Sequence, residues 1–201
     1  DVTNIKDVLL FVCMTTFMKI NTFFLKTLLQ LLKFQLKKQP TKQCFFIINL
    51  YGITLTKIKL MKIIQLIETI FKDYVKHIVI INNFFNKNKQ LKTQKFYFSV
   101  LQCASCILEP FPFGGLNSTY DALSVNQAVI SLPSDFLSGR FTLGLYTKIN
   151  FSKTIANSKT QYINIAYQYA NNLNNLRTNC QKYIQIQKYA LFKDYDSVKE
   201  Y

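Results

Sequence analysis

The run Ile107-Leu-Glu-Pro-Phe-Pro-Phe-Gly-Gly-Leu-Asn-Ser-Thr-Tyr-Asp-Ala-Leu123 reads as a short buried strand, a proline-stiffened connection, a paired-glycine turn and the start of a helix. Pro110 and Pro112 hold the residues before them extended. Gly114 and Gly115 turn the chain and permit close backbone approach. Asn117, Ser118 and Thr119 are all suited to cap the helix expected over Asn117–Val125. A helix entered through glycines offers free N–H groups and the positive end of its dipole, which suits a phosphate. The same pattern also fits an ordinary turn and cap, so it points to a site without specifying one.

Working outward, apolar runs and amphipathic stretches alternate. Upstream, Val8–Cys13 predicts a strand, and Thr22–Lys38 a helix with Leu28, Leu31, Leu32 and Leu36 near one face. Lys37-Lys38-Gln39-Pro40 ends that helix. Gln43–Leu50 is a continuous apolar run of the buried parallel type, Tyr51-Gly52 a turn, Thr56–Tyr74 a second amphipathic helix and Ile78–Ile81 another buried strand. A polar loop is expected over Asn82–Gln90, a helix over Lys92–Ala104 and a strand over Cys106–Leu108. Downstream follow a strand at Ala128–Leu132 closed by Pro133, a short helix at Ser138–Thr147 and a small strand at Ile155-Ala156. Helices are expected at Gln161–Asn172, Leu173–Lys182 and Ser197–Tyr201. Crossovers of this length predict an α/β, Rossmann-like doubly wound parallel sheet with flanking helices. Its ligand belongs at the carboxyl ends of the strands.

Composition narrows the function classes. The chain has 201 residues, and 49% hydrophobic content excludes a disordered tail. It opens on Asp1 rather than Met, so a fragment or processed product is expected. Its apolar runs stop short of the ~20 residues that span a bilayer, so no membrane association is expected. The net charge of +15 is carried almost wholly by lysine, Arg140 and Arg177 being the two arginines. Readers of nucleic acid favour arginine forks and a clustered basic face. The lysines here are dispersed over every helix, so no nucleic-acid partner is expected. Cys13, Cys44, Cys103, Cys106 and Cys180 form no disulfide framework. Cys103-Ala-Ser-Cys106 lacks the second pair that zinc needs and reads as two small apolar residues on a buried helix. The one histidine, His77, reads as a strand-edge residue. A metal is not expected.

The stretch Glu109-Pro-Phe-Pro-Phe-Gly-Gly-Leu-Asn-Ser-Thr-Tyr-Asp-Ala-Leu123 resembles the donor-site motif of the protein O-GlcNAc transferase/SPINDLY glycosyltransferase family. The resemblance continues through Val129-Ile-Ser-Leu-Pro133, Phe136-Leu-Ser-Gly-Arg140, Leu145-Tyr-Thr-Lys-Ile149, Tyr162 and Leu176-Arg177, and on to Leu191-Phe192 and Glu200-Tyr201. Upstream, Phe11-Val-Cys13 and Phe17-Met-Lys-Ile20 resemble the family's strand-to-helix segment, with Lys19 on its donor-binding lysine. A family Gln falls on Thr15 or Thr16, and a second family Lys falls on Gln94; both are departures.

The resemblance implies the donor-binding, carboxyl-terminal half of a GT-B glycosyltransferase over residues 1–201, with carboxyl-terminal helices from about 158 to 201. The amino-terminal lobe and tetratricopeptide repeats of the family are outside this chain. It implies a UDP- or GDP-sugar donor, UDP-N-acetylglucosamine first, for inverting transfer to Ser or Thr of a protein acceptor. With no signal or spanning segment in the sequence, cytoplasm or nucleus is expected. Lys19 would neutralise the departing diphosphate. Asn117, Ser118 and Thr119 would bind that diphosphate through N–H and hydroxyl groups, and Asp121 would accept a ribose hydroxyl. Tyr97 would line the nucleotide pocket, and Gly114 and Gly115 would let the backbone approach. Arg140 would orient the loop after Pro133 or hold a salt bridge. No cofactor is implied, because lysine and the helix dipole can do a cation's work. The alternative is a catalytically inactive relative that serves as a nucleotide-binding or scaffold module.

Overall fold

The computed structural model describes residues 8–50, 57–82 and 90–193. Five parallel strands stand in the order β3-β2-β1-β4-β5: β1 Val8–Thr15, β2 Gln43–Leu50, β3 Ile78–Asn82, β4 Cys106–Leu108 and β5 Val129–Ile130. The crossovers carry α1 Thr22–Lys38, α2 Lys57–Phe71, α3 Gln90–Cys103 and α4 Asn117–Ser124. After β5 come α5 Phe141–Lys148, α6 Lys159–Ala170, α7 Leu176–Gln187 and α8 Tyr189–Phe192. The expected turn at Tyr51-Gly52, most of the polar loop at 82–90 and the helix at Ser197–Tyr201 lie outside the described residues.

The central strand explains the two layers. Successive side chains of a strand face opposite ways, and β1 is buried on both faces. Leu9, Phe11 and Cys13 join the larger core, with Phe24, Leu28 and Leu31 of α1, Ile67 of α2 and Ala166 of α6. Val12 and Met14 join a smaller core with Leu101, Ile107, Ala122 and Val129 under α3 and α4. Fully burying one such leucine or phenylalanine contributes roughly 1.5–3 kcal/mol, so β1 and α1 anchor the fold. β2 lies along the whole of β1, from Val8 opposite Gln43 to Thr15 opposite Leu50.

Some local expectations need correction. Ile78–Asn82 is an edge strand with one neighbour, and Val79 is 42% exposed rather than buried. An apolar run by itself does not distinguish an edge from a centre. The helix after Thr56 ends at Phe71, and a 3-10 turn, Lys72–His77, leads into β3. Cys103 is the exposed end of α3, whereas Cys106 is buried in β4, so the pair does not share a helix. His77 does sit at the start of an edge strand, and its Nδ1 donates to the Cys44 carbonyl at 2.8 Å.

Edge strand β5 is closed by tyrosine, and Ser131 just beyond it makes one parallel bridge to Ile155, where the sequence predicts a small strand. The buried Tyr146 hydroxyl accepts from Val129 N–H at 2.7 Å and donates to Val129 C=O at 3.0 Å. Tyr162 donates to the Glu109 carbonyl at 2.9 Å, and Ala128 N–H donates to Tyr169 Oη at 3.3 Å. Three buried phenols of α5 and α6 thus satisfy the backbone where β4 and β5 end and begin. Tyr146→Phe keeps the ring but leaves both Val129 groups buried without that partner. It should cost about 1–3 kcal/mol, read as a lower urea midpoint at unchanged slope; an unchanged midpoint would refute this role.

Candidate functional site

β1 and β4 are neighbours whose connections leave in opposite directions, β1 toward β2 and β4 toward β5. In open parallel sheets a crevice opens at the carboxyl ends of such a pair. Two loops meet there: Thr16–Asn21 after β1 and Glu109–Leu116 after β4. Asn21 ties them together. Its Oδ1 caps α1 by accepting from Phe24 N–H at 2.9 Å, and its Nδ2 donates to the carbonyls of Lys19 at 3.2 Å and Phe111 at 2.8 Å.

Lys19 closes the 3-10 turn Phe17–Lys19. Its Nζ donates to the Gly114 carbonyl at 2.6 Å and lies 4.5 Å from the centre of the Phe113 ring. Burial lowers the Lys19 ammonium from its usual range, while Glu109 and Cys13 act in the opposite sense. An ammonium has three donors, so after Gly114 two remain for an anion.

Glu109, directly after β4, is 4% exposed. Gly115 N–H donates to its Oε1 at 2.6 Å, Thr142 Oγ1 donates to Oε1 at 2.5 Å, and Ser131 Oγ donates to Oε2. Burial pushes its carboxyl up, against Ser131, Thr142, the Gly115 N–H and Lys19, which favour the charged form. This carboxylate crowds Gly114, and the first turn of α4 crowds Gly115. A Cβ on Gly114 would lie 2.9 Å from Glu109 Oε1, and one on Gly115 would lie 2.4 Å from Ser118 Oγ.

A second segment supports the loop from outside. Gly114 N–H donates to Ser138 C=O at 3.0 Å, and Ser134 Oγ donates to Pro112 C=O at 2.9 Å. A Cβ on Gly139 would lie 2.2 Å from that Pro112 oxygen, a backbone atom that cannot swing aside. Arg140 Nη1 donates to the Ser134 carbonyl at 3.3 Å, a loop-orienting contact rather than a salt bridge.

The remaining expected residues divide along α4. Asn117 is exposed and Ser118 half-buried in its first turn, where helix geometry leaves N–H groups without intrahelical acceptors. Neither caps the helix: the N-cap is Leu116, with no side-chain cap bond. Thr119 turns inward with Ala122 and Leu123. Its hydroxyl lies 2.8 Å from Thr142 Oγ1. Thr142 gives its one proton to Glu109, so Thr119 is the donor to Thr142. The side chain expected at a diphosphate is therefore occupied in the core. Asp121 lies one helical turn beyond Asn117, and Tyr97 of α3 donates to its Oδ2 at 2.8 Å. Burial raises the Asp121 carboxyl, and the Tyr97 hydrogen bond opposes the rise.

The cavity enclosed by Lys19, Glu109, Pro110, Gly115, Ser118 and Thr119 is about 10 Å³. That holds at most one water, so nothing as large as a phosphate fits inside it. Among the described residues no cluster of three His, Cys, Asp or Glu is arranged to hold a metal. The sequence carries one Asp-x-Asp triplet, Asp194-Tyr-Asp196, outside the described residues. No described helix is long and apolar enough to cross a membrane.

No family model matches the sequence, and no curated protein matches it. Solved structures do match. A mutant O-GlcNAc transferase from Thermobaculum terrenum superposes with a TM-score of 0.69 at 14% identity, over 89% of this chain and 31% of that one. A UDP-forming α,α-trehalose-phosphate synthase from Burkholderia xenovorans gives 0.60 at 9% identity, over 91% of this chain and 41% of that one. TarM from S. aureus, solved in a complex that includes UDP, gives 0.57 at 14% identity, over 95% and 34%. This chain thus spans about a third of the transferase it resembles. The likeness is one of fold, and it agrees with the expected Rossmann-like lobe of a GT-B glycosyltransferase.

The Tyr97–Asp121 pair makes a pH prediction. The folded Asp121 holds its proton more tightly than the unfolded one. Its contribution to stability is therefore full below the ordinary aspartate pKa and is lost as pH rises through the folded midpoint. Tyr97→Phe removes the bond that opposes this shift. A carboxyl-carbon NMR titration should then show Asp121 titrating higher still; an unchanged or lower midpoint would contradict the pairing.

Proposed function

We propose that this chain is the donor-binding lobe of a nucleotide-sugar glycosyltransferase of the O-GlcNAc transferase type. One observation carries the reading: at the point where β1 and β4 diverge, a half-buried lysine from one loop meets a glycine turn and helix start from the other. A cation beside free helix N–H groups suits a diphosphate. Asp121, one turn farther along α4, is the group assigned to the ribose attached to that diphosphate. UDP, which accompanies one structural neighbour, has this chemistry.

In the reaction, an acceptor hydroxyl attacks the anomeric carbon and the nucleoside diphosphate departs with the bonding electrons. Charge grows on the leaving phosphate. Lys19 and the first turn of α4 are fixed in place to stabilise it, which is where preorganised electrostatics act most strongly. Acceptor activation belongs to an amino-terminal lobe outside these residues, so the 201-residue chain alone should bind nucleotide without turning over. UDP-N-acetylglucosamine is the donor the resemblance favours, and Ser or Thr of a protein the acceptor.

A nucleotide-binding module without catalysis is the second reading. Thr15 and Thr16 stand where the family pattern expects a glutamine. Thr15 is fully buried with its hydroxyl on the Thr16 carbonyl, so no side-chain amide is supplied from that position.

Calorimetric titration with UDP and GDP tests the site. One nucleotide should bind, and Lys19→Ala should weaken it by roughly 10- to 100-fold, the loss expected for a hydrogen bond to a charged group. Equal binding by the variant would remove Lys19 from the site. No binding of either nucleotide by the parent chain would overturn the reading.

A further inference from the structure

We propose that Glu109 is a positioning residue for the donor site, acting through the Gly114–Gly115 peptide to set the place of Lys19. The inference rests on the donor-site reading and extends it to a group that touches no ligand. Gly114 C=O and Gly115 N–H belong to one peptide unit. In a trans unit they point in opposite directions. The oxygen end faces the Lys19 ammonium at 2.6 Å, and the N–H end faces the Glu109 carboxylate at 2.6 Å. The peptide dipole is thus held between a cation and an anion, each at the end that attracts it. Turning the unit over would set oxygen against carboxylate and N–H against ammonium, and in a buried setting both contacts are strongly unfavourable. A Cβ at Gly114 would press on the braced carboxylate at 2.9 Å and force it to shift. The clamp therefore has three parts that depend on one another: a charged Glu109, a glycine peptide and a charged Lys19.

Glu109 is itself braced. Ser131 from the end of β5 and Thr142 of α5 both donate to it, and Thr119 of α4 backs Thr142. These donors orient the carboxylate, so its free choice of rotamer is gone before any ligand arrives. The other titratable groups facing it are Cys13 of β1, Tyr146 of α5 and Tyr162 of α6, all buried and all shifted upward, hence neutral near pH 7. Lys19 is the charge that Glu109 meets through the peptide. The anion-binding ammonium is thus held in place by an anion on the far side of a glycine peptide, which leaves its remaining donors free for phosphate.

Glu109→Gln separates charge from shape. With the amide oxygen in the Oε1 place it can still accept from Gly115 N–H and Thr142 Oγ1, and the Ser131 hydroxyl, which faces Oε2, can rotate to accept from the NH₂. Two measurements on the full chain are informative. In the free protein, NMR of the Lys19 ammonium should show its titration midpoint fall in Glu109→Gln, because the opposing negative charge is gone, and Gly115 amide exchange should accelerate. With UDP or GDP, whichever the parent binds, affinity should fall roughly tenfold. The same substitution on a Lys19→Ala background should then cost little more, because both act through one ammonium. An unmoved Lys19 midpoint, or an equal loss on the Lys19→Ala background, would overturn the positioning role while leaving the donor site standing. A parent chain that binds neither nucleotide would overturn the donor site and this role with it. Should Glu109→Gln fail to fold, Thr142→Val, which removes one brace from the carboxylate, should lower affinity in the same direction; unchanged affinity there would count against the proposal.

Discussion

A carboxylate removed from water needs partners, and Glu109 collects them from three segments around the mouth of the crevice. One peptide N–H and two hydroxyls donate to it, and the loop after β4, the end of β5 and helix α5 are thereby fixed relative to one another. A lost partner for such a group costs more than the bond contributes when made. The arrangement therefore specifies one geometry rather than a family of near-equal ones. Lys19, the glycine turn and the start of α4 inherit that geometry. The Pro-Gly loop is further pressed from outside by the segment around Gly139, where there is room for hydrogen and nothing larger.

A division of labour within the larger core follows from the same logic. That core, under α1, α2 and α6, supplies most of the apolar burial and includes the rings of Tyr146, Tyr162 and Tyr169. The hydroxyls of these rings gather where β4 and β5 give way to loops. Tyr146, Tyr162 and Tyr169 satisfy backbone groups there that no further strand reaches. Stability and site chemistry are thus built from different materials on one scaffold. A polar network of this kind holds only while it is complete.

Much of this was legible in the sequence. The alternating apolar runs gave strands, helices and a parallel sheet because buried strands and amphipathic helices leave periodic marks. The glycine turn stood out through its setting between strand and helix, whereas Lys19, one lysine among many, stood out only through the family resemblance. The misses are instructive. Ile78–Ile81 looks like a central strand, since neighbour number leaves no trace in a four-residue apolar run. Asn117, Ser118 and Thr119 all look like caps, yet Thr119, Ala122 and Leu123 share helical spacing and mark the inward face. Asn21 has the identity and position of an N-cap, but its bond to Phe111 joins loops far apart in the chain and no local pattern records that. Glu109 carried one available signal, an acid placed between a buried strand and a proline. Its partners at Ser131 and Thr142 become visible only in three dimensions.

The contacts that join the two loops have a kinetic side. Lys19 meets Gly114 across 95 residues of chain, and Asn21 meets Phe111 across 90. Strands β1 and β2 join through one short crossover, whereas β4 must return to β1 after β2 and β3 have been laid down. Closing so long a loop carries an entropy cost that local pairing avoids. Pairings of this separation slow a fold's assembly. The crevice is consequently a late structure: a nascent chain can build half of its sheet before either wall of the site has met the other.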